Sequence, residues 1–257
     1  MSTLPGLRLL RPLCLCGVTA LLLSGCAMNN TASVRSRDYS DQSAGQTSST
    51  IGQLESRYKA NPNDKATAIS YAAALRAAGQ PAQSVSVIEA AMVNNPNDVD
   101  LKVNYAKALT ATGRYDQALT VITDAIRPDA PDWDALLVKG AILDQTGQNA
   151  AARATYSQAL LIAPNQPAIE ADIGLSYAMT NDLTNAEAHL RKAASMPGAT
   201  SKIRQNLALV IGLEGRFDEA RRLFAAELPP DQVDANMAYI KGMMTQQNRW
   251  NAIQQAG

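Results

Sequence analysis

The residues of this chain that could do chemistry are few, and they are not grouped for catalysis. The only histidine is His189. A single histidine with no cysteine nearby and no ordered carboxylate cluster does not make a metal site. No serine or threonine stands with a base that a third group would orient, which nucleophilic catalysis requires. No Gly-x-x-x-x-Gly-Lys loop is present to cradle phosphates. No enzymatic activity, metal or cofactor is therefore expected. What remains is recognition chemistry. Asn104, Asp172 and Asn206 fall in one series, separated by multiples of 34 residues. An asparagine amide both donates and accepts, so it can satisfy one peptide unit of an extended partner. Lys107, Asp144 and Lys202 add charges of both signs to the same stretches.

The same interval governs the elements that must position these residues. Gly79, Gly113, Gly147, Asn181 and Gly215 each lie 34 residues from the next. A fixed period of that size marks a stacked array of helical units rather than a fold with one converging site. Each unit reads as a helix, a turn at the Gly/Asn column, a second helix and a Pro-containing loop. Seven residues before the turn stand Ala72, Ala106, Gly140, Gly174 and Ala208, all small, which lets two helices approach closely. Four before it stand Leu75, Leu109, Leu143, Tyr177 and Ile211, all of core size. After the turn, Ser84, Ala118, Ala152, Ala186 and Ala220 form one column, and Ile88, Ile122, Tyr156, Leu190 and Phe224 another. Ala91, Ala125, Ala159, Ala193 and Glu227 form a third. Their spacing puts all three on one face of the second helix. Asn61-Pro62-Asn63-Asp64 and Asn95-Pro96-Asn97-Asp98 should end one helix and cap the next.

These columns resemble the tetratricopeptide repeat, with five copies in register over about residues 65–232. The resemblance implies an all-α, right-handed solenoid of helical hairpins (residues 51–257). A degenerate half-repeat, Gln53 to Pro62, should precede the copies. An imperfect capping repeat, Ala235 to Gln255, should follow them, its Asn248-Arg249-Trp250 echoing Gly113-Arg114-Tyr115. In this family the first helices line the concave surface. Mapped onto that scheme, the groove candidates are Asn104, Lys107, Asp144, Asp172, Lys202 and Asn206, among apolar neighbours such as Ile69, Val103, Leu137 and Leu175. The alternative is that these polar residues are simply solvated. The mixed signs disfavour a clamp for a C-terminal carboxylate alone. Met237, Met243, Met244, Trp133 and Trp250 read as packing residues, and His189 as a surface or interhelix residue.

The N-terminus bears on location. Arg8 and Arg11 precede an uncharged apolar run, Leu13 to Leu23. The run is shorter than the roughly 20 residues a spanning helix needs and suits a signal-peptide core. An uncleaved anchor is the alternative. Leu23-Ser24-Gly25-Cys26 resembles a bacterial lipobox, which implies removal of residues 1–25 and acylation of Cys26. With Cys14 and Cys16 removed, Cys26 would be the sole remaining cysteine, so no internal disulfide is available. Two or three acyl chains anchor stably where one is marginal. Ala27, in place of the Asp that retains lipoproteins in the inner membrane, resembles an outer-membrane address on the periplasmic face.

Residues 26–50 are rich in Ser, Thr, Asn, Gln and Gly. They read as a flexible tether with a reach of roughly 25 Å; Arg35, Arg37 and Tyr39 leave open a tail that folds on contact. Beyond residue 25 the chain carries 21 Lys+Arg against 23 Asp+Glu, which offers no electrostatic case for nucleic acid. Signal, tether and repeats together resemble the TadD-type lipoproteins of tight-adherence (Flp) pilus systems. That resemblance implies a scaffold that helps a secretin or other pilus-assembly components assemble. Type IV pilus pilotins of the PilF kind and envelope adaptors of the NlpI kind, which present proteases or peptidoglycan hydrolases, share the layout. A β-barrel assembly subunit like BamD ranks below them.

Overall fold

The computed structural model describes Tyr39 and residues 44–255. The signal stretch, Cys26 and most of the expected tether lie outside the described residues. Among the described residues twelve helices follow one another: α1 (Ala44–Ala60), α2 (Lys65–Ala77), α3 (Pro81–Met92), α4 (Val99–Ala111), α5 (Tyr115–Ala125), α6 (Trp133–Gln145), α7 (Asn149–Ile162), α8 (Pro167–Met179), α9 (Leu183–Ser195), α10 (Ser201–Leu213), α11 (Phe217–Ala225) and α12 (Pro230–Gln255). Five hairpins, α2–α3 to α10–α11, are the five repeats.

The turn column works through backbone conformation. Gly79, Gly113, Gly147 and Gly215 have φ between 71° and 86°, and Asn181 has φ 59°. This left-handed region is open to Gly and tolerated by Asn. Space is not the constraint, because a Cβ on Gly147 would meet nothing within 4 Å. Gly147→Ala should therefore cost about 1 kcal/mol from backbone strain alone, while Asn181→Gly should be neutral within about 0.5 kcal/mol. Urea denaturation of the two variants checks this. The loops supply the caps: Asp64 accepts from the Thr67 amide, Asp98 from Leu101 and Asp132 from Asp134 and Ala135.

Packing follows the columns. Ile88, Ile122, Tyr156, Leu190 and Phe224 are at most 3% exposed, and the small residues opposite them are buried. Tyr177 departs from its column: it is only partly buried and stacks on His189, with ring centroids 5.5 Å apart. Glu227, which breaks the last alanine column, pairs with Arg204 at 2.5 Å.

The two ends differ from the sequence reading. α1 begins at Ala44, inside the stretch assigned to the tether. Its Thr47, Ile51, Leu54 and Tyr58 recur at helical spacing; Thr47 and Leu54 are buried, and Ile51, Leu54 and Tyr58 join the first repeat's core. Tyr39 is also buried there, 7% exposed, in a cluster with Ile69 and Ala73. At the other end α12 is one continuous helix through Asn248-Arg249-Trp250, where the repeat pattern predicts a hairpin turn. Gln246 and Gln247 are good helix formers with no glycine beside them, so nothing breaks the helix. Its Val233, Met237 and Ile240 cover the open face of α10 and α11, which is the work of a cap.

First helices of successive repeats touch one another (α2 with α4, α4 with α6, α6 with α8, α8 with α10), whereas successive second helices do not. The stack therefore curves toward the first helices, and these line its inner face. No helix among the described residues is long and apolar enough to cross a membrane.

Candidate peptide-binding groove

Two adjoining depressions open on the inner face. One, of about 270 Å³, is walled by α4, α6 and α8 and lined by Lys107, Thr110, Asp134, Leu137, Ala141 and Asp172. The other, of about 460 Å³, lies between α8 and α10 and includes Leu175, Lys202 and Asn206. Asp172 lines both. Four of the six candidates, Lys107, Asp172, Lys202 and Asn206, thus face the groove.

The other two do not. Asn104 is 1% exposed, and its amide Nδ2 donates to the Asp100 carbonyl one turn back at 2.9 Å. Its Oδ1 is buried without a hydrogen-bond partner among the described residues. Asp144 is 5% exposed and sits beneath the surface. It accepts from the Tyr156 hydroxyl at 3.0 Å, the Ser176 hydroxyl at 2.8 Å and the Asn149 amide at 2.8 Å. Asp144 is therefore a joint between the third and fourth repeats. The tyrosine and serine that turn it inward sit on neighbouring helices, so the helical period of α6 could not reveal them.

Charge in the groove is unevenly satisfied. Lys107 holds Asp134 with Nζ 2.8 and 3.0 Å from its two oxygens. Asp172 makes no hydrogen bond or ion pair among the described residues. Its burial, together with the charge of Asp144, pushes its carboxyl up to about 7, against the pull of Lys202 and Lys107. The Tyr156 hydroxyl is also raised, by burial and then by Asp172 and Asp144. Away from the groove, Glu170 is fully buried on α8 and accepts from Lys192 at 2.6 Å, with His189 Nδ1 2.8 Å away. Burial raises the Glu170 carboxyl, but those two partners together bring it below its ordinary value. His189 is thus an interhelix residue. Among the described residues no group of three or more His, Cys, Asp or Glu could hold a metal.

The loops also contribute. Pro197, Gly198 and Thr200 border the second depression, and Gly198 has φ 84°. The Pro197-Gly198 dipeptide is the sequence signal for that turn.

Comparison with known proteins agrees with this architecture. Tetratricopeptide-repeat models match residues 75–140, 134–166 and 206–226. A thermophilic TPR protein of Thermus thermophilus superposes with a TM-score of 0.60 at 22% identity, covering 67% of this chain and 96% of that one. Cut9–Hcn1 of the APC/C gives 0.60 at 14% identity, covering 81% and 41%. Pseudomonas aeruginosa PilF gives 0.50 at 15% identity, covering 71% and 83%. At these identities the likeness is one of fold. No curated protein matched the chain in sequence. The fold is a right-handed, all-α solenoid of tetratricopeptide repeats, an architecture that typically serves as a scaffold for protein partners.

Proposed function

We propose that this protein is a lipid-anchored scaffold of the outer membrane that grips a protein segment in its inner groove and assists assembly of a pilus secretion machine of the TadD type. The observation that carries the binding role is the pair of depressions meeting at Asp172. They offer an apolar floor with a few polar groups across several repeats, as a site for an extended or helical segment needs. The anchoring rests on the Leu23-Ser24-Gly25-Cys26 motif, and the pilus role on the layout of signal, tether and repeats. The likeness to PilF adds fold alone.

Two experiments test the reading. Cys26→Ser should accumulate as a larger, unprocessed precursor on immunoblots; a mutant product of normal size in the membrane would remove the lipoprotein assignment. Crosslinked pull-down of the protein from outer membranes, read by mass spectrometry, should recover a secretin with pilus-assembly proteins. Recovery of proteases or peptidoglycan hydrolases instead would replace the pilus role with that of an envelope adaptor.

A further inference from the structure

We propose that Asp172 anchors a basic side chain of the bound segment: a lysine or arginine whose aliphatic stem lies along Leu137, Ala141 and Leu175 and whose head pairs with the Asp172 carboxylate. This rests on the groove reading above and names the chemistry of its ligand.

Three observations converge. The first is position, because Asp172 is the one residue that lines both depressions. The second is an unmet need. Neighbouring acids are engaged, Asp134 by Lys107, Asp144 by Tyr156, Ser176 and Asn149, and Glu170 by Lys192 and His189. Asp172 alone of this group has no donor among the described residues. A half-buried carboxylate without a partner is costly, and a ligand cation removes that cost. The third is the wall: Leu137, Val138 and Ala141 make an apolar side that suits the methylene stem of a long basic residue. An unpaired carboxylate calls for a donor-rich partner, the reverse of a carboxylate ligand.

The stability of the free protein supplies a second readout. The charged groups around Asp172 are Lys107 on α4, Asp134 and Asp144 on α6 and Lys202 on α10. Tyr156 on α7 couples to Asp172, while on α9 His189 and Lys192 hold Glu170. An acid whose folded value lies above its unfolded one favours the fold while protonated and loses that contribution as pH rises toward its folded value. For Asp172 the loss runs from the ordinary carboxylate value of 3.8 up to about 7. Asp172→Asn should therefore raise the melting temperature near pH 8, where a residue with a structural role would lower it.

The test is fluorescence anisotropy of the full-length protein with short leucine–serine peptides that differ only at a central Arg, Lys, Gln or Glu. The Arg and Lys peptides should bind about tenfold tighter than the Gln peptide. Asp172→Asn should abolish that difference, and Asp172→Lys should transfer the preference to the Glu peptide. Lys202→Gln, at an exposed position that the fold does not need, should tighten the Arg peptide severalfold by removing a competing charge. Equal binding of Arg and Gln peptides to the unmodified protein, or an Arg preference that survives Asp172→Asn, overturns the proposal. Charge-indifferent binding that is lost in Leu175→Glu overturns it and leaves the groove reading standing. Binding of none of the peptides also overturns it, and the groove reading is then judged by whether envelope crosslinks map to the inner face.

Discussion

Gly140→Ala is expected to destabilise the third repeat by about 2 kcal/mol, although alanine is the better helix former by up to about 1 kcal/mol. An added Cβ would stand 2.3, 2.6 and 2.8 Å from Cε1, Cδ1 and Cζ of Tyr156. That ring cannot swing away: it is 1% exposed and its hydroxyl is held by Asp144. The second repeat supplies the comparison for this pair. Where the second helix carries Ile122, the first carries Ala106; where it carries the larger Tyr156, the first has lost its Cβ. Tyr156→Ile alone should cost about 3 kcal/mol through an under-filled core and a lost hydrogen bond. The double variant, Gly140→Ala with Tyr156→Ile, recreates the Ala106–Ile122 pair. It should cost about 3 kcal/mol and not the sum of the two, a coupling of about 2 kcal/mol in a double-mutant cycle. Strict additivity in urea denaturation would show that the two residues do not share this contact.

That pairing was half legible beforehand. The repeat period exposes every position where the same packing problem is solved five times, so the turn residues, the small column and the column from Ile88 to Phe224 all lie where the structure has them. Asn181 could be read as a left-handed turn residue because its column was otherwise glycine. What the period cannot show is a feature that one repeat has and the others lack. Asp144 stands three residues before its turn, where Arg76 and Thr110 stand in earlier repeats, and the family scheme places it on the groove. Tyr156 and Ser176, each on a different helix, draw Asp144 beneath the surface. Asn104 sinks for a local reason, the bond from its amide to the Asp100 carbonyl. The ends escape the period as well. α12 needs only one apolar face to close the stack, so it has no reason to turn at Asn248. Tyr39 is a lone aromatic in a polar stretch, and its burial depends on the surface that Ile69 and Ala73 offer.

The joint made by Asp144 should matter for cooperativity as much as for stability. Asp144→Ala leaves the Tyr156 and Ser176 hydroxyls without their carboxylate acceptor, and Ser176 is fully buried. Each stranded buried donor costs about 1–3 kcal/mol, so a total loss of about 3 kcal/mol is expected. Asp144→Asn keeps one acceptor oxygen and should lose roughly half as much. The location of the loss is as informative as its size. Ser176 belongs to α8 and Asp144 to α6, so the bond crosses from the third repeat to the fourth. In a solenoid the repeats unfold together only through such nearest-neighbour terms. Weakening this one should broaden or split the urea transition, with amides of α2 to α7 and of α8 to α12 losing hydrogen-exchange protection at different denaturant concentrations. A second consequence reaches the groove without touching it. Removing the Asp144 charge takes away one of the two causes that hold the Asp172 carboxyl near 7, so in Asp144→Asn that group should titrate lower by NMR. A variant that keeps one sharp transition and leaves Asp172 unmoved would mean that Asp144 neither couples the repeats nor sets the groove's charge. If both readouts move together, one buried aspartate ties the integrity of the solenoid to the ionisation of the residue placed to hold its ligand.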